Sequence, residues 1–366
     1  MPPLSRSHDL DWLRLLAVLL LIPFHSAAVF YEGELGSFYV VNAQSSAGLG
    51  VFVHFVYQWH MPLFFFLAGA ASWYSLQTRT YGEYLRQRLR RLLLPLLIGI
   101  LVIVPPQVYA HELQAGREKG TFLEFFPHFF AGIRPDGLFE WAHLWFLAYL
   151  FVISIVCLPA MVKLRDLTTE SVGRPINPNT HGVGSLILLA VPLMAVEALL
   201  RPHWIGFQNL YDDWANLLLY LLYFLYGYLF CCRTGLWLVL DQNRWLLCAG
   251  AGLGMALLLT LEITQRIPDR AYSAPYMIYQ SFRGLNSWCW VLALHSLARP
   301  YRTSSHSILT YGNRVAFSIY FFHQPLVVIA AFFVVPLSLA IASKFLLISF
   351  AALLFSVGLH EALTQR

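Results

Sequence analysis

The sequence predicts an all-α protein: a polytopic membrane helix bundle of about ten transmembrane helices with both termini cytoplasmic. Three observations lead there. Of 366 residues, 58% are hydrophobic and only 12% are charged, about half the charge of an ordinary soluble domain. The mean hydropathy is +0.60. Apolar runs long enough to cross ~30 Å of hydrocarbon recur along the whole chain.

The runs fall at about 10–31, 50–76, 88–109, 141–162, 183–200, 212–232, 243–264, 275–297, 312–334 and 337–360. The first contains Arg14, Pro23 and His25 behind a leader that is as acidic as it is basic. It is therefore expected to be a retained helix rather than a cleaved signal. The fifth is the shortest, and the last two are separated only by Pro336 and its neighbours. An even number of spans puts both termini on one side. With the N-terminus inside, the cytoplasmic segments hold fifteen cations: Arg6, Arg79, Arg86, Arg88, Arg90, Arg91, Lys163, Arg165, Arg174, Arg233, Arg244, Arg299, Arg302, Arg314 and Arg366. The outer side holds seven: Arg117, Lys119, Arg134, Arg201, Arg266, Arg270 and Lys344. That is the direction of the positive-inside rule. The longest outer connection, 110–140, mixes charges with aromatics and is expected to cap the bundle or touch a ligand. The inner connection 163–182 contains GRPINPN and reads as turn-rich and polar.

Several function classes drop out. The five cysteines lie in or beside apolar runs and show no CxxC spacing, so neither a disulfide framework nor a metal site is expected. No basic run beyond 86–91 suggests nucleic acid, and a membrane boundary explains that one equally well. There is no P-loop, GxSxG, HExxH or GxGxxG. Any chemistry falls to histidines and arginines inside the bundle.

Five stretches carry such residues. In DLDWLRLLAVLLLIPFHSAAVF, Arg14 and His25 are eleven residues apart, about three helical turns, ~20° out of phase and ~16 Å along the axis. They share a face, and Asp11 lies one turn before Arg14. A histidine at that depth faces protein or a wet cavity; the plainer reading is a structural hydrogen-bonder with Arg14 snorkelling. In YLRQRLRRLLLP, helical spacing puts Arg88 with Arg91 and Arg86 with Arg90. Such guanidinium pairs suit phosphates, or simply anchor the chain at anionic head groups. In WHMPLFFFLAG, His60 reads as an interfacial residue near the outer end of the first hairpin, in reach of an acceptor. Trp141 and Trp145 in WAHLWFL are one turn apart, as an aromatic belt or a sugar-stacking pair. In SIYFFHQPLVV, Tyr320 and His323 share a helix, with Pro325 as a kink. Glu197, Glu262, Arg283 and Asn286 add polar groups at helix interiors, and Arg283 with Glu262 is a candidate pair.

Taken together, these stretches resemble the acyltransferase-3 family of integral membrane acyltransferases. Its arginine–ten residues–histidine hallmark is matched by Arg14 and His25, and its Arg-x-x-Arg by Arg88 and Arg91 followed by Pro95. MPLFFFLAG is similar to its second-helix pattern, with Ala68 where serine is usual. HLWFL and IYFFHQP also look familial, so the resemblance runs from residue 8 to about 330. IPFHSAAVFY and FFFLAGAASWYS look closest to the glucan biosynthesis protein C branch, which implies succinyl transfer to periplasmic glucans.

The resemblance implies one transmembrane acyltransferase domain over 1–366 in a bacterial inner membrane, with no SGNH-type hydrolase domain. It implies an acyl-CoA donor, acetyl or succinyl, reached from the cytoplasm, and a glycan hydroxyl acceptor outside. Metal and nucleic acid are not expected, and a homo-oligomer is compatible. The roles expected on this resemblance are His25 as general base or as the carrier of an acyl-histidine intermediate, Asp11 orienting or pairing with Arg14, and Arg14, Arg88 and Arg91 holding the donor. His60, Trp141, Trp145, Tyr320, His323 and Arg283 are the candidate substrate contacts, with Arg283 or His323 as a cation for a succinyl carboxylate. Two rival readings use the same residues: a transporter or flippase for a glycosidic or acylated molecule, and a non-catalytic polysaccharide-assembly partner.

Overall fold

The computed structural model describes residues 7–31, 38–169, 182–233, 235–304 and 306–364. Their α-helices are α1 (His8–Ala28), α2 (Ala47–Tyr57), α3 (His60–Thr78), α4 (Tyr81–Arg88), α5 (Leu94–Val102), α6 (Pro105–Gln114), α7 (Phe122–His128), α8 (Trp145–Val156), α9 (Leu158–Thr169), α10 (Val183–Leu200), α11 (Trp214–Cys232), α12 (Gly235–Gln242), α13 (Arg244–Ile263), α14 (Ala274–Ala298), α15 (Ser307–Val334) and α16 (Ile341–Thr364). The described residues contain no strand, only an isolated bridge between Ile133 and Phe139.

By length and composition, eight stretches suit a membrane crossing: α1, Ala47–Thr78, Tyr81–Gln114, α10, α11, α13, α15 and α16. A ninth is the pair α8 and α9 if counted as one span, bent by 49° at its break. The remaining expected span, 275–297, is the 25-residue helix α14, which is not among them. Its polar residues lower its mean hydropathy, yet Gln280, Asn286, Ser287 and His295 are all buried in protein. Arg6, Arg174 and Arg366 of the charge tally, and the GRPINPN segment, lie outside the described residues. α9 occupies the start of the connection 163–182, to Thr169.

The contacts divide the chain into two units. The first comprises residues 1–14, 57–90 and 148–304. Its centre is α3 against α11, packed through reciprocal glycines. A Cβ at Gly69 would stand 1.8 Å from the Phe224 carbonyl oxygen, and one at Gly227 1.8 Å from that of Phe66. Small residues let membrane helices approach to backbone contact in this way, and Phe65 stacks on Tyr220 at 4.5 Å beside them. Trp288 of α14 donates to the Leu186 carbonyl of α10 (2.9 Å), and Asn286 to the Ala251 carbonyl of α13 (3.0 Å). A buried ion pair, Arg201–Glu197 at 2.6 Å, is completed by Asn216. Asp213 accepts from Tyr149 and from the Gln208 backbone N–H. Burial pushes the Asp213 carboxyl above its ordinary range.

The second unit comprises residues 15–56, 91–147 and 305–366. α15 and α16 form its hairpin, and Lys344 ties the turn by donating to the Val335 carbonyl (2.6 Å) and Asn42 (2.9 Å). α6 meets α15 through a buried amide pair, Gln324 to Gln107 (3.0 Å), with Gln107 donating on to the Ile103 carbonyl. The connection 110–140 has a defined structure: Thr121 and Glu124 form a capping box on α7, and Tyr39 and Arg134 both bond Glu140. Burial and the Glu140 carboxylate push the Tyr39 phenol well above its ordinary range.

Candidate active site

α1 is helical without a break from His8 to Ala28, Pro23 included, so the helical spacing of Arg14 and His25 stands. Within the second unit His25 is half-buried, and its Nδ1 lies 2.9 Å from the Leu21 carbonyl oxygen one turn back. A carbonyl only accepts, so Nδ1 carries the proton and Nε2 keeps the lone pair. A basic nitrogen is thus fixed by the helix that bears it.

His25 is not alone. Its ring meets that of His323 at 4.9 Å, and His323 meets His143 at 5.1 Å. His323 is fully buried and donates Nδ1 to the Tyr320 carbonyl (2.6 Å) and the Ile319 carbonyl (3.1 Å). His143, 6% exposed, donates Nε2 to the Phe321 carbonyl at 3.0 Å. That carbonyl is available for a reason written in the chain. In a regular helix Phe321 would accept from the N–H of residue 325, but Pro325 has none. Tyr320 closes the group by donating its hydroxyl to the His143 carbonyl (3.0 Å). The approach is tight: a Cβ at Gly99 of α5 would meet Leu144 at 2.3 Å and Phe321 at 3.1 Å.

Sequence reasoning singled out Trp141 and Trp145 in WAHLWFL and passed over the histidine between them. In the structure the tryptophans are not on one helical face. Trp141 precedes a 3₁₀ turn, Ala142–Leu144, and Trp145 begins α8. Trp145 is 7% exposed, which does not suit a lipid-facing belt. The strained entry at Ala142, φ +46°, turns the chain so that His143 points to α15.

The other expected contacts, Arg91 excepted, lie in the first unit. Arg14 forms an ion pair with Asp11 at 3.1 Å. Arg88 donates Nη2 to Ser72 (2.9 Å) and lies over the Tyr84 ring at 4.4 Å, while its Nε is buried with no hydrogen-bond partner. Arg91, which falls in the second unit, is exposed. The shared face expected for Arg88 and Arg91 does not hold as drawn. A π-helical turn, Leu89–Leu93, follows Arg88 and contains Arg91, and its i→i+5 bonding widens the spacing per turn. His60 is also displaced from its expected place. The span begins at Ala47 and breaks at 58–59, so His60 starts α3 in mid-span, 3% exposed, against Phe64 and Trp59. Arg283 bonds Gln58 (3.3 Å) and Gln280 (3.1 Å). No cluster of three His, Cys, Asp or Glu among the described residues could hold a metal.

An apolar, multi-pass helical chain with backbone-tethered histidines clustered among its helices defines the class, and comparison with known proteins gives it a family. The model described as "Acyltransferase domain" matches residues 7–361, and the chain belongs to this family, the acyltransferase-3 membrane proteins. Among curated proteins it is similar to "Glucans biosynthesis protein C" of Escherichia coli K12, 26% identical over 168 residues, 45% of this chain and 41% of the relative. The proteins of that name in E. coli SMS-3-5 and O9:H4 are 25% identical over the same shares. The chain thus spans about two fifths of the length of the curated relatives it matches. No solved structure matches it.

Proposed function

We propose that this membrane acyltransferase moves an acyl group, acetyl or succinyl, from acyl-CoA to a hydroxyl of an extracytoplasmic glycan, in the inner membrane of a bacterium. The observation that carries the reading is His25: a half-buried ring whose proton is held at Nδ1 by the Leu21 carbonyl, presenting Nε2 as a base. Imidazole titrates near neutrality and suits the role. Nε2 takes the acceptor hydroxyl proton as that oxygen bonds to the thioester carbonyl carbon. The carbon–sulfur bond breaks, and the proton passes to the departing thiolate to give free CoA and an ester.

The donor carries phosphates, and the chain offers cations to them. Arg88 has an unsatisfied buried Nε–H, the kind of donor an anionic oxygen completes. Arg14, oriented by Asp11, and the exposed Arg91 extend that provision. The glucan names of the relatives support a glycan acceptor, and a succinyl group would need a cation such as Arg283.

The test is CoA release by purified protein supplied with acetyl- or succinyl-CoA and a panel of glucans. Wild type should release CoA and label the glucan, and His25→Ala should lose ~10²–10⁴ in turnover. A folded His25→Ala that keeps full transfer removes the base from His25. Glucan movement without CoA consumption would instead make the protein a transporter, and neither activity would leave an assembly partner.

A further inference from the structure

Two of the three clustered histidines have a nitrogen that nothing satisfies. His323 spends Nδ1 on backbone carbonyls, and its Nε2 is fully buried without a partner. His143 spends Nε2 on the Phe321 carbonyl, and its Nδ1 is likewise buried without a partner. The tethers hold the protons, so both orphan atoms are lone pairs. A buried acceptor with no donor is destabilising, and two in adjacent rings call for a shared explanation. His25 stands next in the row with its own lone pair at Nε2. Three acceptors in succession have no hydrogen between them while all three rings are neutral. One added proton supplies the missing donor.

We infer that His323 and His143 are positioning residues that share the proton His25 takes from the acceptor. The two buried lone pairs stabilise the imidazolium during transfer and return the proton for the departing thiolate. This rests on the acyl-transfer reading for its chemistry but not for its geometry. Nothing is oxidised or reduced, and the proton count is that of the transfer itself: one leaves the acceptor oxygen and one arrives on sulfur. Among the described residues of the second unit, Tyr320 of α15 is in ring contact with the trio, at 5.9 Å from His143 and 6.2 Å from His323. Its hydroxyl is committed to a backbone carbonyl. Gln107 and Gln324, on α6 and α15, are neutral. On the side of Phe38, which meets His25 at 5.8 Å, the ring of Tyr39 follows, and behind it are His111, Arg134 and Glu140.

Two substitutions separate the tether from the lone pair. His323→Asn keeps an amide N–H where Nδ1 donates and removes Nε2. His143→Gln keeps an amide N–H where Nε2 donates and removes Nδ1. The readout is the reaction of His25 with diethyl pyrocarbonate, which modifies only neutral imidazole, followed by mass spectrometry of the purified full chain against pH. Each variant should move the His25 midpoint to lower pH by about one unit, as expected when a hydrogen bond to a charged group is lost. The acid limb of kcat should move with it at constant KM. His323→Gln, which restores an acceptor near Nε2, should return the midpoint towards wild type. If one variant does not fold, the other carries the test. Unmoved midpoints in a folded variant, with transfer intact, overturn the inference and leave the acyltransferase reading. Moved midpoints in a protein that releases no CoA keep the proton sharing and overturn the acyltransferase reading.

Discussion

Replacing Gly69 with alanine should split the first unit along its central seam. The added methyl would lie 1.8 Å from the Phe224 carbonyl oxygen and 2.7 Å from its carbon. An ordinary contact begins at 3.4 Å, so α3 and α11 must separate by about 1.6 Å locally. No flexible side chain stands at the contact to swing aside, because the obstruction is backbone. Overpacking of this kind costs ~1–3 kcal/mol, and a backbone-to-backbone clash belongs at the upper end. The separation also moves Ser72, three residues on, which holds the Arg88 guanidinium. At roughly 2 °C per kcal/mol for a long chain, thermal unfolding in detergent should fall by about 6 °C. Gly252→Ala in α13 and Gly358→Ala in α16 are the controls, since a methyl at either meets nothing within 4 Å. Those should be neutral or stabilising by up to ~1 kcal/mol, the helix propensity gain. If Gly69→Ala melts with the controls, the close approach of α3 and α11 is wrong and so is the argument from reciprocal glycines.

Two further changes probe the chemistry. Pro325→Ala supplies the missing N–H, which then competes with His143 for the Phe321 carbonyl. Loss of that ~0.5–1.5 kcal/mol tether should lower kcat a few-fold to about tenfold at unchanged KM, and an unchanged kcat would deny His143 a part. Arg88→Lys removes the planar fork that bonds Ser72 and covers Tyr84. It should raise the KM for acyl-CoA about tenfold, the size of one hydrogen bond to a charged group. An acyl-pantetheine donor without phosphates should show no change, and equal effects on both donors would place Arg88 elsewhere.

Much of this was legible in the chain. The membrane class follows from composition, and most of the spans from apolar runs, because hydrocarbon demands length and hydropathy that local sequence records directly. The relation of Arg14 to His25 was legible because both ride one helix, where spacing is geometry. Legibility failed where a helix departs from 3.6 residues per turn. The π turn at Leu89–Leu93 breaks the arithmetic that paired Arg88 with Arg91, and the 3₁₀ turn at Ala142–Leu144 does the same for the two tryptophans. It held for α14, expected over 275–297 and found over Ala274–Ala298, although the polar residues that this helix buries in protein make it less apolar than the other long helices.

The sequence by itself determined the class, the family and the place of His25 on the helix it shares with Arg14. Only the tertiary structure decided which histidines stand beside it. His143 is 118 residues from His25 and 180 from His323 in the chain, and no periodicity spans such gaps. A trace was present: Pro325 leaves the Phe321 carbonyl without its helical donor. A missing N–H says that some donor must arrive, and it takes the folded chain to say which.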